Sequence, residues 1–490
     1  VSIRGIAKST GIYSVAVFAG RMSSFVLLPV YTRYLTPRDY GVLELLELTM
    51  YVFGTMVGMR LGEALLYHYS HAKDERGRQS VLGTAFLGAA ALGTLLGALG
   101  ILLSPWLSAL VFRSADYVDF FRLMFLAFVL SLPQEVALSY MRARDRAGHY
   151  AAASLAKLAI SAAANLTFLV GLGWGITGML WGGLVSAAAQ TVILAAYCLR
   201  DGLAWDGSLW RPMIRYGAPL GAGGLGFLVI HYGDRFYLQR HTTLDEIGIY
   251  SLAYKIGMLI TYLQTPFDIY WRAQMFSLVR GPGGEKIYVR VCTYLTAGLC
   301  WVLLFLAVLS EPVLRVMAGR SFGDAAPYIP WVAAAYVLRT IGSHFRCAFL
   351  LEGRTHREAA VVWAGALVCL AAYSLLIPRY TLWGAVAATL LAFVVMFVMG
   401  LVQAQKVRHF PFEFGRMGYC GAVAAGLWAA FAQIRPEGPW PQALAGLGFV
   451  LSYPALLLAG GFFAADEKEA LRRLMRSGFR LFRQPAPVAR

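Results

Sequence analysis

Charge is scarce in this chain. Only 14% of its 490 residues are charged while 59% are hydrophobic, and the mean hydropathy is +0.60. Such a balance excludes a water-soluble protein of this size. Acids are the rarer sign, with 26 Asp and Glu against 43 Lys and Arg, giving a net charge of +17. Cysteine is limited to six positions, Cys198, Cys292, Cys300, Cys347, Cys369 and Cys420, all in or at the ends of apolar runs. They lack metal-ligand spacing and read as small core residues rather than a disulfide framework. Long polar stretches are missing too. The longest connections on one side are residues 104–119 and 311–327, so no extramembrane domain is expected. Polymerases and membrane glycosyltransferases need such a domain to hold a polar donor sugar, and no DxD-like metal site occurs on a predicted cytoplasmic loop. No metal site is expected anywhere.

What is abundant is long apolar runs. They recur from end to end at roughly 18 to 25 residues, the length an α-helix needs to cross ~30 Å of hydrocarbon. The spacing predicts an all-α polytopic membrane protein with about fourteen spans, near 10–32, 42–66, 81–103, 119–141, 150–172, 176–198, 212–239, 248–271, 289–310, 327–351, 359–378, 381–404, 416–434 and 442–463. The first run lacks a small-residue cleavage site and leads straight into the second, so it is expected to be a retained helix, not a signal peptide. Sorting basic residues by loop places about 24 on the side of the N terminus and about 8 opposite, which predicts cytoplasmic N and C termini. Topology therefore explains the basic balance, and no nucleic-acid partner is expected. The tail, 466–490, is basic; Leu471, Leu474, Met475 and Phe479 lie opposite its arginines. It is either an interfacial helix on the anionic inner leaflet or a solvated basic helix.

One stretch occurs twice. Thr36-Pro-Arg-Asp-Tyr-Gly-Val-Leu-Glu-Leu45 aligns with Thr243-Leu-Asp-Glu-Ile-Gly-Ile-Tyr-Ser-Leu252, about 207 positions on, and retains a Thr, an acid, a Gly, a β-branched residue and a Leu. Both copies fall in predicted outer turns with six spans between them. An even number preserves orientation, so the chain divides into parallel six-helix lobes, 1–204 and 205–404, around a central cavity where transporters place substrate. Residues 405–465 add two helices.

An ionisable residue at membrane depth costs roughly 2.5–3.5 kcal/mol on the lenient insertion scale and needs a partner, water or a function. Arg21 lies in the first span near Ser14 and Ser24. Arg339 and Arg346 share a face of the tenth span with Ser343, and Tyr336 lies just above. Arg60, Arg235, Lys255 and Arg272 add cations in both halves. Local pairs account equally well for three of them: Arg60 with Glu63, Arg235 with Asp234, and Arg272 with Asp268. Arg21 and Arg339 have no acid three or four residues away. Guanidinium groups match phosphate oxygens bidentately and stay charged, so these cations suit an anion such as a diphosphate. Glu44 and Glu47, on a face roughly opposite Arg60, are either interfacial or a cation site, and with Asp234 and Asp268 they are the candidates for ion coupling.

Some apparent motifs are discounted. Gly221-Ala-Gly-Gly-Leu-Gly226 has dinucleotide-loop spacing but follows Pro219 within a span with no strand before it, so no nucleotide cofactor is expected. It reads as a helix loosened for bending or close packing. Asn165-Leu-Thr167 is a glycosylation sequon in form only, since it lies in the fifth span. Residues 281–286 lack P-loop spacing, and no Ser/His/Asp or Cys/His set can be assembled.

At residues 27–46, and again at RYGAPL (215–220), DRFYLQR (234–240) and EIGIYSLAYKIG (246–257), the chain resembles bacterial polysaccharide-transport flippases. These are the Wzx-type members of the multidrug/oligosaccharidyl-lipid/polysaccharide exporter superfamily. The resemblance implies an inner-membrane protein, not an enzyme, with two six-helix lobes facing a cationic cavity. It would move an undecaprenyl-diphosphate-linked oligosaccharide from the inner to the outer leaflet by alternating access. Membrane lipids, and the glycan polymerase and glycosyltransferases of the same pathway, would be its partners. A cation-coupled multidrug exporter of the same superfamily is the alternative, and it requires a cavity carboxylate that the first span lacks. A membrane-embedded enzyme of envelope-lipid synthesis is disfavoured by the missing acid pair or metal set.

Overall fold

The computed structural model describes residue 20 and residues 26–57, 60–222, 225–434, 436, 438–463 and 467. Every regular element among them is helical. In chain order these are α1 (Leu28–Tyr34), α2 (Pro37–Val57), α3 (Leu61–His71), α4 (Glu75–Phe112), α5 (Val118–Ala143) and α6 (Ala147–Asn165), which runs on as a π-helix over Leu166–Gly171. Then come α7 (Gly175–Arg200), α8 (Gly207–Ala222), α9 (Leu225–His241), α10 (Leu244–Gly257), α11 (Leu259–Arg280) and α12 (Gly284–Met317). A 3₁₀ segment, Arg320–Tyr328, leads to α13 (Ile329–Phe345), α14 (Cys347–Leu351), α15 (Thr355–Val407), α16 (Phe414–Ile434) and α17 (Pro439–Ala459). Among the described residues, eight helices are long and apolar enough to cross a membrane, so this is an all-α multi-pass membrane protein.

Several expected spans are broken. The second is interrupted at Arg60, left-handed at φ 44°, before α3 begins at Leu61. The eighth and tenth divide into α10 with α11 and α13 with α14. Conversely, α15 merges two expected helices, and Thr381 at φ 46° marks the kink between them. All six cysteines are buried and none forms a disulfide. Asn165 is buried and donates to the Tyr31 hydroxyl at 2.8 Å, so the sequon is a core residue.

The repeated stretch owes its form to helix capping. Thr36 and Asp39 exchange bonds at the start of α2: the Thr36 backbone N–H donates to the Asp39 carboxylate at 2.9 Å, and the Asp39 N–H donates to the Thr36 hydroxyl at 3.2 Å. Thr243 and Glu246 form the same capping box at the start of α10, at 3.3 Å in both directions. Thr followed three residues later by an acid satisfies two otherwise orphaned backbone donors. The glycines serve packing. A Cβ on Gly41 would overlap the Leu244 carbonyl, and one on Gly248 would overlap the Pro37 carbonyl. The first turns of α2 and α10 thus cross backbone to backbone, each copy of the repeat seating its glycine on the other.

The chain divides into two compact units: residues 1–272 with 313–408, and residues 273–312 with 409–490. In the first, α4 packs on α5 through small residues. Gly93 and Gly97 admit Val129, and Gly100 admits Phe125. In the second, α12 meets α17, with the Trp301 indole donating to the Val450 carbonyl at 2.9 Å and the Tyr453 hydroxyl to the Ala297 carbonyl at 3.2 Å. Its polar centre is Arg416, held at 2.7 Å by both Glu413 and Glu467. Glu467 apart, the basic tail lies outside the described residues.

Candidate functional site

Two polar regions of the larger unit gather most of the expected residues. The first is a cavity of 780 Å³ whose described wall comes from α2, Arg60 after it, α5, α6 and α7. Glu47, Met50, Tyr51, Gly54 and Thr55 line it from α2, and Arg60 enters from the break. Ser131, Gln134 and Glu135 face it from α5, Lys157 and Ser161 from α6, and Ser186 from α7. The broken helix matters here, because the left-handed turn at Arg60 interrupts the α2–α3 axis where its guanidinium reaches the space. Arg60 turns to this cavity rather than to Glu63, and Glu135 is the acid that attracts it. Lys157 Nζ donates to Gln134 Oε1 at 3.2 Å, while the Gln134 amide bonds the Ala187 carbonyl and Thr191 hydroxyl, each at 2.7 Å. Glu47 and Glu135 are open to the same space. Among the described residues the wall therefore offers two cations, two carboxylates and several hydroxyl and amide groups.

Lys157, Gln134 and Glu135 did not emerge from the sequence. Lys157 is a lone cation in an alanine-rich run, and Glu135 follows a Pro-Gln step, so neither belongs to a pattern. Their signal is only that each is ionisable within an apolar run.

The second region is a buried ion network between α2, α9 and α10. Arg235 is 1% exposed and Asp234 0%. Arg235 Nη1 lies 2.8 Å from Asp234 Oδ1, so the neighbouring pair read from sequence does form. Glu44, also buried, places one oxygen 3.5 Å from Arg235 Nε and the other 3.5 Å from Lys255 Nζ. Tyr250 donates to Asp234 at 2.5 Å, and the Arg235 guanidinium lies 4.0 Å from the Tyr254 ring centroid. A relay continues to Tyr336 and His231, whose contacts are 3.1 and 2.8 Å. Glu44 is therefore neither at a lipid interface nor open to the cavity; it neutralises two expected substrate cations. Buried charges persist only when so paired.

The remaining residues fall elsewhere. Arg346 is buried and bonded to Glu358 at 2.8 Å. Asp268 accepts from Gln264 at 2.9 Å and lies 3.4 Å from His344. Arg339 sits 5.9 Å from the Tyr336 ring centroid. Arg21, with Ser14 and Ser24, and the Arg272 side chain lie outside the described residues, as do residues 223 and 224 of the 221–226 glycine run. Among the described residues, no cluster of His, Cys, Asp or Glu has the geometry to hold a metal ion.

This helical arrangement is shared with solved transporters. The structure described as lipid II flippase MurJ in an inward closed conformation aligns at a TM-score of 0.74 and 12% identity, covering 91% of this chain and 99% of that one. An inward-facing multidrug resistance MATE family transporter of the MOP superfamily aligns at 0.64 and 15%, covering 80% and 96%. A MATE structure in the straight conformation aligns at 0.57 and 15%, covering 82% and 96%. At these identities the likeness is one of fold. The sequence pattern of the family described as polysaccharide biosynthesis protein matches residues 6–267, more than half of the chain, and the chain belongs to that family. No curated protein matches the sequence.

Proposed function

We propose that the chain is a flippase that carries a lipid-diphosphate-linked oligosaccharide outward across the bacterial inner membrane by alternating access. The observation that carries this reading is the 780 Å³ cavity and the chemistry of its wall. Its size falls within the few-hundred to ~1,000 Å³ range of ligand sites. Arg60 and Lys157 supply the donors a diphosphate requires, Arg through its planar fork and Lys as a point charge. Glu47, Glu135, Gln134 and the three serines match sugar hydroxyls, which donate to carboxylates and amides. The apolar tail stays in the bilayer. Each negative charge moved outward gains about 2.3 kcal/mol per 100 mV of inside-negative potential. The family description, polysaccharide biosynthesis protein, points the same way.

The finer architecture that goes with this reading is fourteen spans with cytoplasmic termini. The 1–204 and 205–404 lobes are related by the 36–45 and 243–252 repeat, followed by two further helices at 405–465 and the basic tail. The roles of Arg21, Arg272, Arg339 and Arg346 in binding substrate belong to this proposal too. Arg235 and Lys255 we assign instead to holding the helices through Glu44.

A second reading, a cation-coupled multidrug exporter, draws the stronger support from the solved structures, two of the three described above being MATE transporters. Glu47 and Glu135 also supply the cavity carboxylates that such an exporter requires. Purified protein in vesicles separates the two. A fluorescent lipid-diphosphate saccharide should become accessible on the opposite leaflet with wild-type protein and not with the Arg60→Ala/Lys157→Ala double variant. Movement of an organic cation down an imposed ion gradient, with the saccharide stationary, would establish the exporter instead.

A further inference from the structure

A groove of 410 Å³ runs between α6 and α7, with the end of α5 behind it. We infer that it holds one anionic phospholipid of the surrounding bilayer, an acyl chain lying along the groove and the phosphate at its basic end. No described residue lines both this groove and the 780 Å³ cavity, so its occupant is distinct from whatever the cavity carries.

The walls are small and apolar. Ala152 and Ala156 of α6 face Ile193 and Ala196 of α7, and the buried Met141 and Ala153 form the floor. These positions recur three and four apart, so each helix gives the groove a single face. Alanine at four of them leaves a trough that larger side chains would fill. Beside it Leu155, Val192 and Leu199 are 44%, 69% and 63% exposed, an apolar surface suited to lipid and not to water. From Ile193 to Arg200 the trough follows about 10 Å of helix, against ~15 Å for one leaflet's share of the hydrocarbon core. An acyl chain fits such a trough, where a polar solute would lose its hydration for nothing.

One end of the groove is cationic. Arg200 is the last residue of α7 and lines the groove three residues from Tyr197, and the His149 ring at the start of α6 lies 5.3 Å from the Tyr197 ring. Arg146, immediately before α6, acts electrostatically on the same tyrosine, so a second guanidinium reaches this end. Among the described residues neither Arg146 nor Arg200 forms an ion pair. The neighbouring acid Asp201 is already engaged, accepting from Tyr140 at 2.6 Å and facing Arg144 at 3.8 Å, while Arg144 also holds Glu75 at 2.9 Å. Asp145 offsets part of the charge without pairing to Arg146, and the end stays net positive. Guanidinium groups grip a phosphate bidentately, and Tyr and His add neutral donors. A zwitterionic headgroup would bring an ammonium to the same arginines, so the site selects a lipid of net negative charge. Which leaflet supplies it follows from the topology proposed above; the site itself does not depend on that reading.

The full chain, delipidated in detergent and titrated with phosphatidylglycerol or phosphatidylethanolamine, tests the site by native mass spectrometry of the bound lipid. Wild type should retain phosphatidylglycerol in clear preference. Arg146→Ala/Arg200→Ala should lower that affinity about thirtyfold and leave phosphatidylethanolamine unchanged, while Arg146→Lys/Arg200→Lys should recover most of it. Ala152→Leu/Ala196→Leu, at two exposed positions, should weaken binding with both arginines in place. In the wild-type chain, phosphatidylglycerol bearing a diazirine on its acyl chain maps the site directly, and labelling should fall on residues 149–156 and 193–200. Equal affinity for the two lipids, a double alanine variant that binds as wild type does, or labelling that avoids both segments would overturn the site. Labelling there that undecaprenyl phosphate displaces and unlabelled phosphatidylglycerol does not would give the groove to a transported lipid, and would overturn it too. None of these readouts involves transport, so the flippase proposal stands or falls separately.

Discussion

Glu44 and Arg235 meet 3.5 Å apart in the protein interior, one from α2 and the other from α9. Each has a second partner, Lys255 for the acid and Asp234 for the base. Two acids and two bases thus cancel, all buried but the partly exposed Lys255, and two cations with an apparent claim on an anionic substrate are already engaged.

Arg235→Met should be among the most damaging single changes. It leaves Asp234 and Glu44 buried without their shared cation, and breaking a buried pair costs about 3–5 kcal/mol. Glu44→Gln should cost less, since Arg235 keeps Asp234. Thermal unfolding of the detergent-solubilised variants ranks them. Equal melting temperatures for both and the wild type would show the network to be energetically idle.

The glycine crossing predicts non-additivity. Gly41→Ala and Gly248→Ala each force a methyl group into a carbonyl, and overpacking of this kind costs roughly 1–3 kcal/mol. Once either has separated α2 from α10, the other meets a contact already loosened, so the double variant should lose clearly less than the sum. A thermodynamic cycle from the four proteins measures this.

At Arg60, charge and backbone can be separated. The residue is left-handed, a conformation costing roughly 1–2 kcal/mol for a side-chain-bearing residue and little for glycine. Arg60→Gly should therefore keep or raise the melting temperature while impairing transport as severely as Arg60→Ala. A fall in both readouts together would make Arg60 a structural residue.

Asp206 gives a pH dependence outside the membrane. Hydrogen bonds from the Ser208 hydroxyl and backbone N–H hold its carboxyl below the ordinary 3.8. A depressed native value means that the contribution is present above the ordinary value and fades as pH falls through the native one. Amide exchange in the first turn of α8 should accelerate over that acid window in wild type, while Asp206→Ala should exchange fast at every pH.

The helical class, the repeat and the Asp234–Arg235 pair were legible because each is encoded locally. Apolar length sets a span, Thr with an acid three residues on sets a cap, and adjacent residues can pair whatever the rest of the chain does. Glu44 was misplaced because its partners come from α9 and α10, and no periodicity within α2 points there. The break at Arg60 was hidden for a related reason: residues 42–66 are apolar enough for one span, and hydropathy does not register a single left-handed residue. Glu135 and Lys157 become a pair of interest only when α5 and α6 stand around one cavity.

The crossing at Gly41 and Gly248 has the form of an isologous contact, in which position i of one strand of the pair meets position j of the other and j meets i. This is the geometry by which a homodimer closes on itself. A half-length chain bearing one copy of the Thr-x-x-acid-x-Gly turn could make the same contact with a second copy of itself. Joining the copies end to end would preserve the interface while freeing each side to acquire different charges, as Glu44 on one and Lys255 on the other now show.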